Sequence, residues 1–117
     1  MSDPARWIRV TRADNIPLRE GRAVTLGGKP IAIFNLGDHF AAVDNACPHQ
    51  GGPLCDGLVA GTVVVCPLHG WRYDLATGAA VRASAPACLT IYPVRVEDGI
   101  VCLDIQGGSR IDEGKAA

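Results

Sequence analysis

Residues 47–71 read CPHQGGPLCDGLVAGTVVVCPLHGW, and they constrain this chain more than any other stretch. They hold Cys47-Pro48-His49 and Cys66-Pro67-Leu68-His69, a C-x-H box and a C-x-x-H box with sixteen residues between them. Two of the five cysteines and two of the three histidines of the 117-residue chain stand there. Thiolate and imidazole donors in matched pairs suit a metal. A metal shared by both boxes requires a fold that brings two loops to one point, with rigid elements behind them.

The rest of the composition narrows the class. A chain of 117 residues is expected to form one domain, 1–117, with a single modest core. It is 48% apolar and 20% charged, an ordinary globular mixture, and only 5% aromatic, so Val, Ile, Leu and Ala must fill the interior. The formal net charge of −1, with no run of one sign, gives no support to nucleic-acid binding. No apolar run is long enough to span a bilayer, and MSDPARWIRV lacks the apolar stretch of a secretory signal. Both features lead to an expectation of a cytoplasmic protein with no membrane partner. Thiols there are kept reduced, so an odd number of cysteines reads as metal chemistry rather than a disulfide framework. Cys88 and Cys102 sit in apolar segments and read as small hydrophobes. Cys55 lies between the boxes, a spare thiol near the metal or a further candidate ligand.

Short β-rich runs punctuated by glycine dominate the chain, and fourteen glycines and eight prolines argue against long helices. WIRVT (7–11), RAVTL (22–26), PIAIFN (30–35), HFAAVD (39–44), LVAGTVVVC (58–66), WRYDL (71–75), LTIYPVRVE (89–97) and IVCLDI (100–105) read as strands. Gly27-Gly28-Lys29 and Asp98-Gly99 are hairpin turns, and ADNIPLREG (13–21) is a polar connector. The tail, about 107–117, has too little apolar content to pack and is expected to be mobile. The pattern is all-β: antiparallel strands closed into a sandwich or barrel, with a ligand-bearing subdomain, about 45–76, inserted between the flanks. Each box follows a strand-like run, AAVDNA before Cys47 and TVVV before Cys66, so two loop tips can meet at one end of a sheet.

Zinc modules place paired ligands two to four residues apart, and a structural zinc site remains one reading. A C-x-H box has a single residue between its ligands, which is awkward for one small ion and natural if Cys47 and His49 bind different metals of a binuclear cluster. The second box repeats the order. Cys47 and Cys66 can then share one iron while His49 and His69 share the other, the Rieske arrangement of a [2Fe–2S] cluster. Gly51, Gly52 and Gly70 let backbone amides approach cluster sulfurs, and Pro48 and Pro67 stiffen both loops. Trp71 and Tyr73 are placed to wall one side.

CPHQGGPL…CPLHGWRYDLATG resembles the paired boxes of the Rieske family, and the similarity extends over most of residues 6–105. The resemblance implies a Rieske-type antiparallel β-sandwich or barrel with one [2Fe–2S] cluster on Cys47, His49, Cys66 and His69. It also implies that Ser84-Ala85-Pro86 belongs to the loop shielding the cluster's third side. EGRAVTLGGKPIAIF and CLTIYPVRVEDGIV are similar to the small subunit of NAD(P)H-dependent assimilatory nitrite reductase, and compatible with Rieske ferredoxins of ring-hydroxylating oxygenases. The respiratory branch carries an extra disulfide-forming cysteine in each box, where this chain has Gly52 and Leu68, and Trp71 stands in place of its sulfur-bonding serine.

No paired-carboxylate constellation is visible. Asp44, Asp56 and Asp74 fit turns and caps, and His39 in LGDHF reads as an exposed hairpin residue rather than a base. The resulting reading is an electron carrier or accessory subunit, not an enzyme by itself. Its first expected setting is beside the large subunit of a nitrite reductase, whose flavin and haem chemistry lie elsewhere. The alternative is the ferredoxin of a ring-hydroxylating oxygenase system, between a flavin reductase and a terminal oxygenase. By the resemblance, the free ring nitrogens of His49 and His69 would link redox state to pH on the alkaline side. Hydrogen bonds to cluster sulfurs raise the potential, so Trp71 in place of serine predicts a midpoint at the low end of the Rieske range, about −150 mV. Spectroelectrochemical titration checks it, and a midpoint well above zero contradicts it.

Overall fold

Ile31-Ala32-Ile33-Phe34 is fully buried at every position, with 0% exposure for each residue. Strand side chains alternate between faces, so a strand buried throughout must lie in a sheet covered on both sides. The computed structural model, which describes residues 7–45, 53–67, 70–81 and 89–107, shows that arrangement. Among the described residues eleven strands occur in the order β1 (Ile8–Arg12), β2 (Gly21–Leu26), β3 (Lys29–Asn35), β4 (Phe40–Asp44), β5 (Leu58–Ala60), β6 (Val63–Val65), β7 (Arg72–Asp74), β8 (Ala80–Val81), β9 (Ile91–Tyr92), β10 (Val94–Glu97) and β11 (Ile100–Leu103). Among the described residues the helical pieces are 3-10 turns, at Ala13–Asn15, Leu54–Asp56 and Ile105–Gly107.

All strand pairs are antiparallel, in three sheets ordered β1-β11-β10, β2-β3-β4-β9 and β5-β6-β7-β8. The second sheet is the middle layer. On one face Ile31, Ile33 and Ala42 pack with Val101 and Leu103 of the first sheet. On the other, Ala32, Phe34, Ala41 and Val43 pack with Leu54, Val64, Cys66, Tyr73, Leu75 and Leu89. The all-β antiparallel architecture expected from the strand pattern is therefore present. It contains two cores rather than the single one expected, because the middle sheet separates them.

The hairpin turns follow from residue type. Leu26 pairs with Lys29 across Gly27 (φ +56) and Gly28 (φ +79), and Glu97 pairs with Ile100 across Asp98 (φ 54) and Gly99 (φ +76). Two successive positive φ values give turns whose twist matches the flanking strands. Two long runs are broken. LVAGTVVVC forms β5 and β6 around Gly61-Thr62, with Cys66 just beyond β6. LTIYPVRVE divides at Pro93, where Tyr92 pairs with Ala42 in the middle sheet and Val94 with Leu103 in the first. Proline has no amide donor for a ladder, so the chain changes sheets there.

Two packing features were not expected from the sequence. The polar connector 13–21 inserts Ile16, 1% exposed, into the core around Val101. Cys102 lies on the outer face of its sheet, opposite Arg95, yet is 1% exposed. The Arg95 guanidinium stacks 4.3 Å from the centre of the Trp7 ring. Residues 108–117, which hold nearly all of the expected mobile tail, and Cys88 lie outside the described residues. Phe34 joins the middle sheet to the sheet bearing Cys66. Phe34→Ala is expected to cost about 3–5 kcal/mol of stability, as a fall in the urea unfolding midpoint.

Candidate metal centre

Cys66 is the proposed ligand whose surroundings are visible. Cys47, His49 and His69 lie outside the described residues, as do Pro48, Gly51, Gly52, Leu68 and Ser84-Ala85-Pro86. β6 buries Val64, and Cys66, two residues on, keeps the same inward direction and is 2% exposed. The strand pairing carries past the ladder. The Cys66 amide donates to the Trp71 carbonyl at 2.7 Å, and the Gly70 amide to the Cys66 carbonyl at 3.0 Å. Residues 67–70 are thus a connection pinned at its base. Gly70 has φ +76, a region that costs an L-residue with a side chain about 1–2 kcal/mol.

The first box is pinned at Asn45, immediately after β4. Its carbonyl accepts from the Leu54 amide at 2.8 Å, and its side-chain Oδ1 accepts from the Cys55 amide at 2.9 Å. The chain therefore leaves toward Cys47 and returns toward β5 at one place. Leu54, fully buried, shares an apolar cluster with Cys66 and Tyr73, while Trp71 packs against that cluster. The described residues thus bring the feet of both boxes together on one core. Tyr73 and Trp71, expected to wall one side of the site, are both part of this packing.

A third segment ends at the same core. Leu89 follows the segment 82–88 and donates its amide to the Gly78 carbonyl at 2.7 Å. Gly78 has φ +83, and a Cβ there would lie 2.3 Å from the Leu89 carbonyl oxygen, so glycine is required for the close approach. Asp44, expected to serve a turn or cap, instead makes tertiary bonds. Its Oδ1 accepts from the Tyr92 hydroxyl at 2.8 Å and its Oδ2 from the Thr90 amide at 3.2 Å. Asp74 keeps a turn role, accepting from the Ala76 amide at 2.8 Å.

The donor chemistry fits an iron–sulfur group. A sulfur held 2% exposed by Leu54, Tyr73 and Leu89 is shielded from water, as an inner thiolate ligand of a cluster needs. Among the described residues no group of three or more His, Cys, Asp or Glu side chains is placed to hold a metal ion, and three proposed ligands fall outside those residues. His39 is an exposed residue at the β3–β4 hairpin, 2.6 Å from Asp38, at the opposite end of β4 from Asn45. The hydrogen bond and positive charge offered by His39 lower the pKa of Asp38.

Asn45 is the residue at the foot of the first box that strand patterning overlooks. The available signal was an asparagine directly after a strand, where its amide can accept from a later backbone N–H.

A buried cysteine just beyond one hairpin strand, with the foot of the first box beside it on the same core, is compatible with an iron–sulfur site of the Rieske kind. The sequence comparison agrees: residues 6–93 match the Rieske [2Fe-2S] domain model, and the chain belongs to that family. Its cofactor is one Rieske-type [2Fe–2S] cluster. The chain is 33% identical over 100 residues to the ferredoxin component of the naphthalene 1,2-dioxygenase system of Pseudomonas aeruginosa, covering 86% of this chain and 96% of that one. The Sphingomonas yanoikuyae B1 ferredoxin superposes with a TM-score of 0.76 at 35% identity, over 83% of this chain and 96% of the other. A Mycobacterium tuberculosis protein named as an NADH-dependent nitrite reductase small subunit superposes with a TM-score of 0.75 at 26% identity, over 83% and 92%.

Cys55 sits at the foot of the first box, engaged through its backbone, with its half-buried Sγ 3.8 Å from Asp56 Oδ1. Burial, and then the negative charge of Asp56, push this thiol's pKa up. Only the thiolate is nucleophilic, so raising the pKa leaves less of it at a given pH. Cys55 is expected to alkylate with iodoacetamide more slowly than a free cysteine at neutral pH, reaching half-maximal rate above the ordinary thiol range. Mass-spectrometric rate measurements against pH check this.

Proposed function

We propose that this Rieske electron-transfer protein serves as the ferredoxin of a ring-hydroxylating oxygenase system, carrying single electrons from a reductase to a terminal oxygenase. The observation that carries the reading is the full-length relationship to an oxygenase ferredoxin, 33% identical across 96% of that protein. Identity to the nitrite reductase small subunit is lower, at 26%, which reverses the order of preference drawn from the flanking sequences. The nitrite reductase role stands as the second reading, supported by that subunit's TM-score of 0.75.

In the proposed site Cys47 and Cys66 hold one iron and His49 and His69 the other, within a single domain, 1–117, whose cluster-binding part spans about 45–76. The cluster supplies reversible one-electron transfer when bound. The chain's own residues supply the shelter. Cys66 is buried beside Leu54, Tyr73 and Leu89, so water is kept from the sulfur side. Asn45 and the Cys66–Trp71 pairing hold the two loop feet in register. No helix among the described residues is long and apolar enough to cross a membrane.

Two measurements test the reading. Replacing Cys47 or Cys66 by Ser, or His49 or His69 by Ala, is expected to abolish the visible absorption and the bound iron and sulfide, whereas Cys55→Ser keeps them. The chemically reduced protein is expected to be reoxidised by a terminal oxygenase and not by a nitrite reductase large subunit. Reoxidation by the latter alone would move the assignment to the second reading.

A further inference from the structure

We propose that Asp44 and Asn45, at the end of β4, act together as positioning residues that tie down the residues bordering segments 46–52 and 82–88. Asn45 holds Leu54 and Cys55, and Asp44 holds Thr90 and Tyr92. This rests on the ligand assignment above and goes beyond it, since neither residue is a ligand.

The geometry follows from strand alternation. Asp44 pairs with Ile31, whose side chain belongs to the core shared with Val101, and Tyr92 belongs to that same core. Asp44 accordingly reaches Tyr92 and Thr90, the residues met just after segment 82–88. The backbone reinforces the tie, with the Asp44 amide donating to the Thr90 carbonyl at 3.1 Å. Asn45, one residue on, engages Leu54 and Cys55, which contribute to the opposite core with Cys66. Its own amide donates to the Pro30 carbonyl at 2.9 Å, fixing it to β3. Adjacent side chains thus address opposite sides of the middle sheet. One half-buried point at the end of β4 thus grips Leu54 and Cys55 on one side and Thr90 and Tyr92 on the other.

A polar contact of this kind outweighs its modest net stability. Removing the Asn45 acceptor would leave the Cys55 amide without its partner at a partly buried position. The free energy then favours local opening of the first ligand segment rather than global unfolding. A control exists in Asn35, which makes a comparable pair of bonds: Nδ2 donates to the Ile16 carbonyl at 2.8 Å, and Oδ1 accepts from the Gly37 amide at 2.9 Å. Asn35 lies at the other end of the β3–β4 hairpin, away from both segments.

The test compares holoprotein variants for the rate at which excess chelator bleaches the visible absorbance, and for the EPR spectrum of the reduced state. All are compared at equal distance below their unfolding midpoints. Asn45→Ala is expected to bleach roughly fivefold faster than wild type and to shift the g-anisotropy, while Asn45→Asp, which keeps an acceptor oxygen, stays within roughly twofold. Asn45→Gln displaces the acceptor by one methylene and serves where the alanine variant does not fold. Tyr92→Phe is expected to bleach faster than wild type by less than Asn45→Ala, since the Thr90 amide bond remains. Asn35→Ala is expected to lose stability without faster bleaching. The inference is overturned if Asn45→Ala and Asn45→Gln match wild type, or if Asn35→Ala accelerates bleaching equally. Acceleration restricted to the Asn45 variants removes Asp44 from the clamp. Retention of iron by Cys47→Ser would instead defeat the ligand assignment, irrespective of the Asn45 result.

Discussion

The two-sided burial of β3 is the constraint on which the rest of this molecule depends. A strand whose residues alternate between two dry faces cannot be satisfied by one partner layer. The first sheet covers Ile31 and Ile33, and the sheet bearing Cys66 covers Ala32 and Phe34. That second layer has short strands, two or three residues each, too small to stand alone. Its position is set by side chains such as Val64, Tyr73 and Leu75 packed against Phe34 and Val43. Cys66 is thereby mounted beside a sheet that is itself mounted on the core.

Mounting a site this way separates reach from rigidity. Cys66 sits at the deep end, at 2% exposure, and the described feet of both boxes are hydrogen-bonded into strands and turns. An electron carrier has no substrate pocket to preorganise. It needs fixed ligands and a stable distance to the surface, and strands pinned on a dry core supply both. The Gly78–Leu89 approach and the Asp44–Tyr92 bond serve the same end on the side of segment 82–88.

Much of this was legible from residue types. The Gly27-Gly28 and Asp98-Gly99 turns and the strand-rich character are local properties, carried by backbone preference. The breaks at Gly61-Thr62 and Pro93 were present in the sequence as well, but apolar residues on both sides disguised them as continuous runs. Ile16 was hidden for the opposite reason. A single apolar residue in a polar connector has no period to betray it, and its burial depends on a neighbour, Val101, 85 positions further along. The flanking sequences offered no sound basis for ranking the nitrite reductase and oxygenase partners, because both branches share the fold and its strand patterning.

By itself the sequence determined the chemistry: which donors are available, in what order, and that short strands and tight turns present them. Those are properties of a residue and its near neighbours, so they survive without knowledge of the fold. The tertiary structure alone decided that the middle sheet is shared by two cores, and that Arg95 stacks on Trp7 across the first sheet's outer face. It also decided that Asp44 and Asn45 face opposite ways to hold segments far apart in the chain. Such pairings arise from register and layer order, which emerge only when distant segments compete for the same buried surface.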